Sequence, residues 1–132
     1  MHRQYPSITR LPVHLEDQQT CYYDEDEEDA QDVLERCGRT PLTEWFRIND
    51  KYPETRHLKY MNFTDHYVWN KNLKTWTKRQ EKESVGRMVF VSPNDGERYF
   101  LRLLLTHVSG ATSFDFLKTV NDVKFGTFKG IY

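Results

Sequence analysis

The segment from Ser92 to Gly110 restricts the fold more than any other part of the chain. It opens on Ser92-Pro93-Asn94-Asp95, residues suited to a helix start. A serine hydroxyl can accept an orphan backbone N–H, proline fits the first helical position, and an acid favours the positive end of the helix dipole. Behind this start, Phe100, Leu101, Leu103, Leu104, Leu105 and Val108 make a wide apolar face, with Gly110 at the expected exit. The spacing predicts a helix over 93–108 whose apolar side must be covered by the rest of the chain.

The material to cover it is limited. Apolar residues make up 37% of the sequence and charged ones 30%, but aromatics reach 14%, which sets the chain apart from disordered ones. The core should therefore be thin and aromatic. Thr40-Pro41 marks a second helix start, and Leu42, Trp45, Phe46 and Asn49 lie on one face of a helix over 41–50 that Asn49-Asp50 and Pro53 close. Ser113 caps a third, over 113–119, with Phe114, Phe116 and Leu117. A short helix from Ala30 to Arg36, with Val33 and Leu34 inward, ends before Gly38.

Strand texture occupies the remainder. Leu11, Val13 and Leu15 alternate, and a second strand follows through Thr20 to Tyr23. Tyr67-Val68-Trp69 and Thr75-Trp76-Thr77 flank Asn70-Lys71-Asn72-Leu73-Lys74, a hairpin loop whose asparagines tolerate left-handed backbone. Val85 to Val91 reads as a third strand. The expected fold class is α+β: a small antiparallel sheet or hairpins at about residues 8–23 and 63–91, with helices at about 41–50, 93–108 and 113–119. Three regions follow: extended N-terminal strands (1–23), an acidic linker with a short helix (24–39) and a compact α+β module (40–132). The unbroken acidic run Asp24 to Asp29 repels itself and reads as a solvated loop. Phe125 to Tyr132 carries two glycines without a stop signal and reads as an element truncated before completion.

Most chemistry finds no foothold. None of the six glycines opens a phosphate-binding G-x-x-x-x-G-K-[ST] loop, and G-x-G-x-x-G and G-x-S-x-G are absent. The five histidines form no H-x-H or H-E-x-x-H pair. His14, Cys21 and Cys37 lie at irregular separations for zinc, and the acidic run lacks the glycine and spacing of a calcium loop. Tyr22-Tyr23 reads as strand rather than as nucleophiles. The expectation is no enzyme, no metal and no cofactor in this chain, and no small-molecule substrate. No run of 18 apolar residues occurs and no hydrophobic leader precedes the cysteines, so two free thiols in the nucleus or cytoplasm are expected, with no membrane partner.

One positive signal stands out. Tyr67, Trp69 and Trp76 are interleaved with Lys71, Lys74, Lys78 and Arg79. Aromatic faces stack on bases while cations meet phosphates, at about 1–3 kcal/mol per stacked base. The competing reading turns the tryptophans to the core and leaves the lysines to solvate the loop. Arg98 and Arg102, four apart on the leucine-rich helix, either track phosphates or pair with Glu97 and solvent.

Several strings carry a resemblance: His2-Arg3-Gln4-Tyr5-Pro6-Ser7, Arg10-Leu11-Pro12-Val13-His14-Leu15, Leu42-Thr43-Glu44-Trp45-Phe46, His66-Tyr67-Val68-Trp69-Asn70-Lys71, Lys74-Thr75-Trp76-Thr77-Lys78-Arg79 and Gly86-Arg87-Met88-Val89-Phe90-Val91-Ser92-Pro93. The longest runs from Gly96-Glu97-Arg98-Tyr99-Phe100 to Val108 and continues through Gly110 and Thr112-Ser113-Phe114 to Lys118-Thr119-Val120-Asn121. In this order they resemble the replicase-helicase of eukaryotic Helitron transposons, over residues 2–129, in the part between its strand-nicking domain and its helicase motor. Asp122, where glycine is expected, and Phe116, where a polar residue is usual, depart from the pattern.

The resemblance implies a parent that nicks and unwinds DNA during transposition, with ATP and Mg²⁺ needed only by the motor. For this segment it implies a non-catalytic, DNA-associated role, with single-stranded DNA and the other replicase-helicase domains as partners. It raises the hairpin to a candidate site comprising Trp69, Lys71, Lys74, Trp76, Lys78, Arg79 and Arg87. The alternatives are an interaction module that packs against those domains, or a remnant without function.

Overall fold

The computed structural model describes residues 7–18, 38–79 and 84–131. The Thr20–Tyr23 strand, the acidic run, the Ala30–Arg36 helix and both cysteines lie outside them. The described chain is an α+β fold. In order it contains β1 (Ser7–Leu11), α1 (Pro41–Lys51), 3₁₀ turns at Pro53–Thr55 and Met61–Asp65, β2 (Tyr67–Asn70), β3 (Thr75–Lys78) and β4 (Ser84–Met88). A 3₁₀ turn at Pro93–Asp95 then leads into α2 (Glu97–Leu105), α3 (Phe114–Lys118), β5 (Thr119–Val120), β6 (Val123–Lys124) and a last 3₁₀ turn at Lys129–Ile131. Among the described residues no helix is long and apolar enough to cross a membrane.

Helix α1 starts where the sequence places it. Thr40 is extended, its hydroxyl accepts from the Thr43 N–H (3.2 Å), and the Thr43 hydroxyl accepts from the Thr40 N–H (2.9 Å). The two threonines form a reciprocal capping box, with threonine standing where glutamate is usual. Leu42, Trp45, Phe46 and Asn49 are all buried, joined by Ile48 and Glu44. Buried Asn49 is satisfied, donating to the Ala111 carbonyl (2.9 Å) and accepting from Thr55 (2.8 Å).

The leucine-rich segment is shorter than its pattern. Ser92 caps only the 3₁₀ turn, and Gly96 then takes φ +56°, so the regular helix begins at Glu97. A left-handed residue cannot continue a right-handed helix, and glycine alone adopts it without steric cost. The helix ends at Leu105, and Leu101, Leu104 and Leu105 are buried while Phe100 and Leu103 stay half-exposed. In α3, Ser113 caps through the Phe116 N–H (2.9 Å); Phe114 and Leu117 go inward and Phe116 faces out.

Three two-stranded ladders complete the fold, one of them differing from expectation. β2 and β3 form the expected antiparallel hairpin, with Trp69 opposite Trp76. β5 and β6 form a second, around Asn121 (φ 51°) and Asp122 (φ 66°). Two successive positive φ values are the signature of a type I′ turn, which favours glycine at its second position. β1 and β4, by contrast, pair in parallel, with Ile8 opposite Val85 and Arg10 opposite Arg87. The intervening α1 and β2–β3 hairpin form the long crossover that parallel neighbours require.

These ladders and helices enclose a core in which Leu11, Val13, Trp45, Tyr60, Phe63, Leu101 and Leu105 are essentially inaccessible. Gly86 lets β4 approach the Met61–Asp65 turn: a Cβ there would overlap the Met61 carbonyl oxygen and lie 2.8 Å from the Thr64 hydroxyl. The residues after β6 fold back, placing Phe128 in the core while the Phe128 and Lys129 N–H groups donate to the Glu97 carboxylate (3.1 and 2.8 Å).

Candidate nucleic-acid interface

The register of the hairpin decides which of its side chains reach solvent. Tyr67 and Trp69 on β2 share a face with their cross-strand partners Lys78 and Trp76, because successive side chains alternate. That face is turned to the core. Trp76 is 5% exposed, and its indole N–H donates to the Pro41 carbonyl (2.9 Å) at the start of α1. Trp69 is half-buried and meets Trp76 edge to face at 5.4 Å, and Tyr67 stacks on Phe63 at 4.3 Å. Val68 and Thr77 occupy the outward face.

Two of the candidate contact residues are engaged within the fold. Trp76 has no free ring face for a base, since its burial anchors the hairpin to α1. Arg79 is likewise engaged: its Nε donates to the Thr64 carbonyl (3.0 Å) and its backbone N–H to the His66 carbonyl (2.8 Å). A guanidinium holding buried carbonyls is part of the frame. Arg87 is exposed but stands on the β1–β4 ladder, apart from the hairpin.

What remains at the hairpin is cationic. Lys71 at the tip and Lys78 at the base are exposed, and Lys74 is half-exposed. None of the three makes an ion pair with another described residue. The loop holds its shape through Asn70, whose side-chain oxygen accepts from the Asn72 and Leu73 N–H groups (3.0 and 2.9 Å). Lys74, rather than an asparagine, takes the left-handed position, at φ 55°.

Beside the tip lies an open cleft of about 540 Å³, lined by Arg39, Thr43, Glu44, Arg47, Leu73 and Thr75. Buried Glu44 accepts from the Arg47 guanidinium (2.5 Å) and from the Thr75 hydroxyl (3.3 Å), tying α1 to β3. Arg39 lines the same cleft, is exposed, and has no described ion-pair partner. Sequence reasoning missed Arg39 and Arg47 because only the docking of the hairpin on α1 brings them beside its tip.

No protein-family model and no curated protein matches the chain.

Two further arginines brace the frame. Arg98 donates to the Val13 carbonyl (2.6 Å) and Arg102 to the Val89 carbonyl (2.9 Å), so α2 holds the segments that leave the C-terminal ends of both strands of the parallel ladder. Neither pairs with Glu97, whose carboxylate accepts from the Phe128 and Lys129 N–H groups, and Arg98 meets Asp95 instead at 3.5 Å. His14 performs a comparable role. Its Nδ1 donates to the Leu15 carbonyl (2.9 Å), leaving Nε2 to accept from the Thr40 hydroxyl (2.6 Å) that caps α1. Burial, with Arg98 nearby, lowers its pKa and outweighs the opposing pull of the Leu15 carbonyl. Among the described residues no cluster of three or more His, Cys, Asp or Glu side chains converges as a metal would need.

Proposed function

We propose that the chain is a non-catalytic, DNA-associated segment of a Helitron-type replicase-helicase, acting within the parent protein in transposition and contacting single-stranded DNA by its phosphates. The observation that carries the DNA reading is the set of lysines on one hairpin, Lys71, Lys74 and Lys78, without ion-pair partners among the described residues, together with exposed Arg39 lining the cleft beside its tip. The resemblance supplies the parent, and the geometry narrows the contact. With Trp76 and Tyr67 packed inward, stacking is confined to the accessible edge of Trp69, and binding is mainly electrostatic and indifferent to base sequence.

The test is fluorescence polarisation with a labelled oligothymidine at low salt. Wild type binds, and Lys71→Glu combined with Lys74→Glu weakens binding at least tenfold, while Arg39→Glu alone weakens it several-fold. Absence of binding by the wild-type protein, or unchanged affinity in the charge reversals, rejects the reading.

A second reading is an interaction module that packs against the other domains of the same parent. It is favoured by apolar residues left in solvent on and beside the parallel ladder: Ile8 at 61%, Val85 at 37% and Phe90 at 81% exposure.

A further inference from the structure

The outward face of the β1–β4 ladder carries a pattern that the DNA reading does not use. Ile8 and Val85 are opposite each other in register, and so are Arg10 and Arg87, two residues along. All four are exposed, whereas Leu11 and Met88 at the end of the same ladder are buried. Neighbouring strands lie about 4.8 Å apart, so the two arginines present like charges side by side, an arrangement that disfavours the pairing on its own. The other arginines on the frame are engaged: Arg56, Arg79, Arg98 and Arg102 hold backbone carbonyls, and Arg47 pairs with Glu44. Arg10 and Arg87 have no ion-pair partner among the described residues.

We propose that this face is a docking site for an acidic, partly apolar peptide segment of a partner protein. A carboxylate set between Arg10 and Arg87 accepts from both guanidiniums and removes their repulsion. An adjoining aliphatic side chain covers Ile8 and Val85. The apolar half of the face favours a peptide over a nucleic acid, because a phosphate backbone offers nothing to cover aliphatic side chains. The inference stands apart from the hairpin proposal, since it uses a different ladder and different cations.

The experiment uses the full chain and three fluorescent probes: a short peptide in which glutamates flank a leucine-valine pair, the same peptide with glutamines for glutamates, and oligothymidine. The glutamate peptide should bind at least tenfold more tightly than the glutamine peptide. Arg10→Gln with Arg87→Gln should weaken it at least tenfold, and Ile8→Ser several-fold. Lys71→Glu with Lys74→Glu should leave it unchanged while weakening oligothymidine. Each variant is first checked for a wild-type thermal transition, and Arg10→Lys with Arg87→Lys should bind with intermediate affinity. The proposal is overturned if the glutamate peptide fails to bind, if the arginine variants leave its affinity unchanged, or if those variants abolish oligothymidine binding instead. It is also overturned if sedimentation shows the face occupied by a second copy of the chain.

Discussion

Replacing Gly86 with alanine tests the packing of the parallel ladder at its tightest point. Its added Cβ would overlap the Met61 carbonyl oxygen, and it would sit 2.8 Å from the Thr64 hydroxyl and 3.1 Å from the Leu11 side chain. The first obstacle is backbone and cannot rotate away, so β4 or the Met61–Asp65 turn must move. Thr64 is itself buried and donates to the Ser84 carbonyl (2.9 Å), so movement of either element loosens that bond as well. Forced overpacking of this kind costs about 3 kcal/mol. Alanine also lowers the entropy of the unfolded chain, which offsets roughly 0.5–1 kcal/mol. The expected net loss is about 2 kcal/mol, measured as a shift in the urea midpoint at unchanged slope. Gly126→Ala, where nothing lies within 4 Å of the added carbon, is the control and should stay within about 0.5 kcal/mol of wild type. Equal stability of the two variants would refute the close approach of β4 to the turn.

Three further outcomes follow from the same geometry. Asp122→Gly should stabilise the protein by about 0.5–1 kcal/mol in thermal unfolding, because Asp122 holds φ 66° in the β5–β6 turn, where glycine is relaxed. His14 is kept neutral in the fold with its pKa below the usual value of 6.5, so the unfolded chain takes up a proton first as pH falls. Stability is therefore complete above that value and declines from about pH 6.5 down to the lowered folded pKa; urea titrations at a series of pH values should show this, and His14→Gln should flatten it. Trp76→Phe should cost about 1–2 kcal/mol in urea unfolding, since it removes the indole bond to the Pro41 carbonyl and some buried volume.

Local chemistry was readable in the sequence, and distant pairing was not. Thr40-Pro41 and Ser113 announce helix starts because a cap needs only residues within one turn of it, and the β2–β3 hairpin follows from strand texture flanking a short loop. The single helix expected over 93–108 ignored Gly96, whose left-handed backbone divides it in two, because periodicity registers side chains and not φ. The parallel union of Ser7–Leu11 with Ser84–Met88 joins strands separated by the whole of α1 and the hairpin, and no local pattern specifies such a partner.

At the candidate site the residue types were legible but their directions were not. Trp69 and Trp76 share an inward face only once their register is known, and Arg79, Arg98 and Arg102 were visible as charges, not as donors to particular carbonyls. Arg39 and Arg47 join the hairpin tip through tertiary docking alone. Asp122 holds a positive φ, a backbone state that its residue type alone does not announce.

The central claim is that this surface meets single-stranded DNA through phosphates. Its most direct test is the salt dependence of oligothymidine affinity, plotted as log K against log salt. The account predicts a steep linear fall, and a slope shallower by about 0.7 for each of Lys71 and Lys74 changed to alanine, as expected for contacts to a single strand. Affinity that is undetectable at low salt, or that does not change with salt, would contradict it.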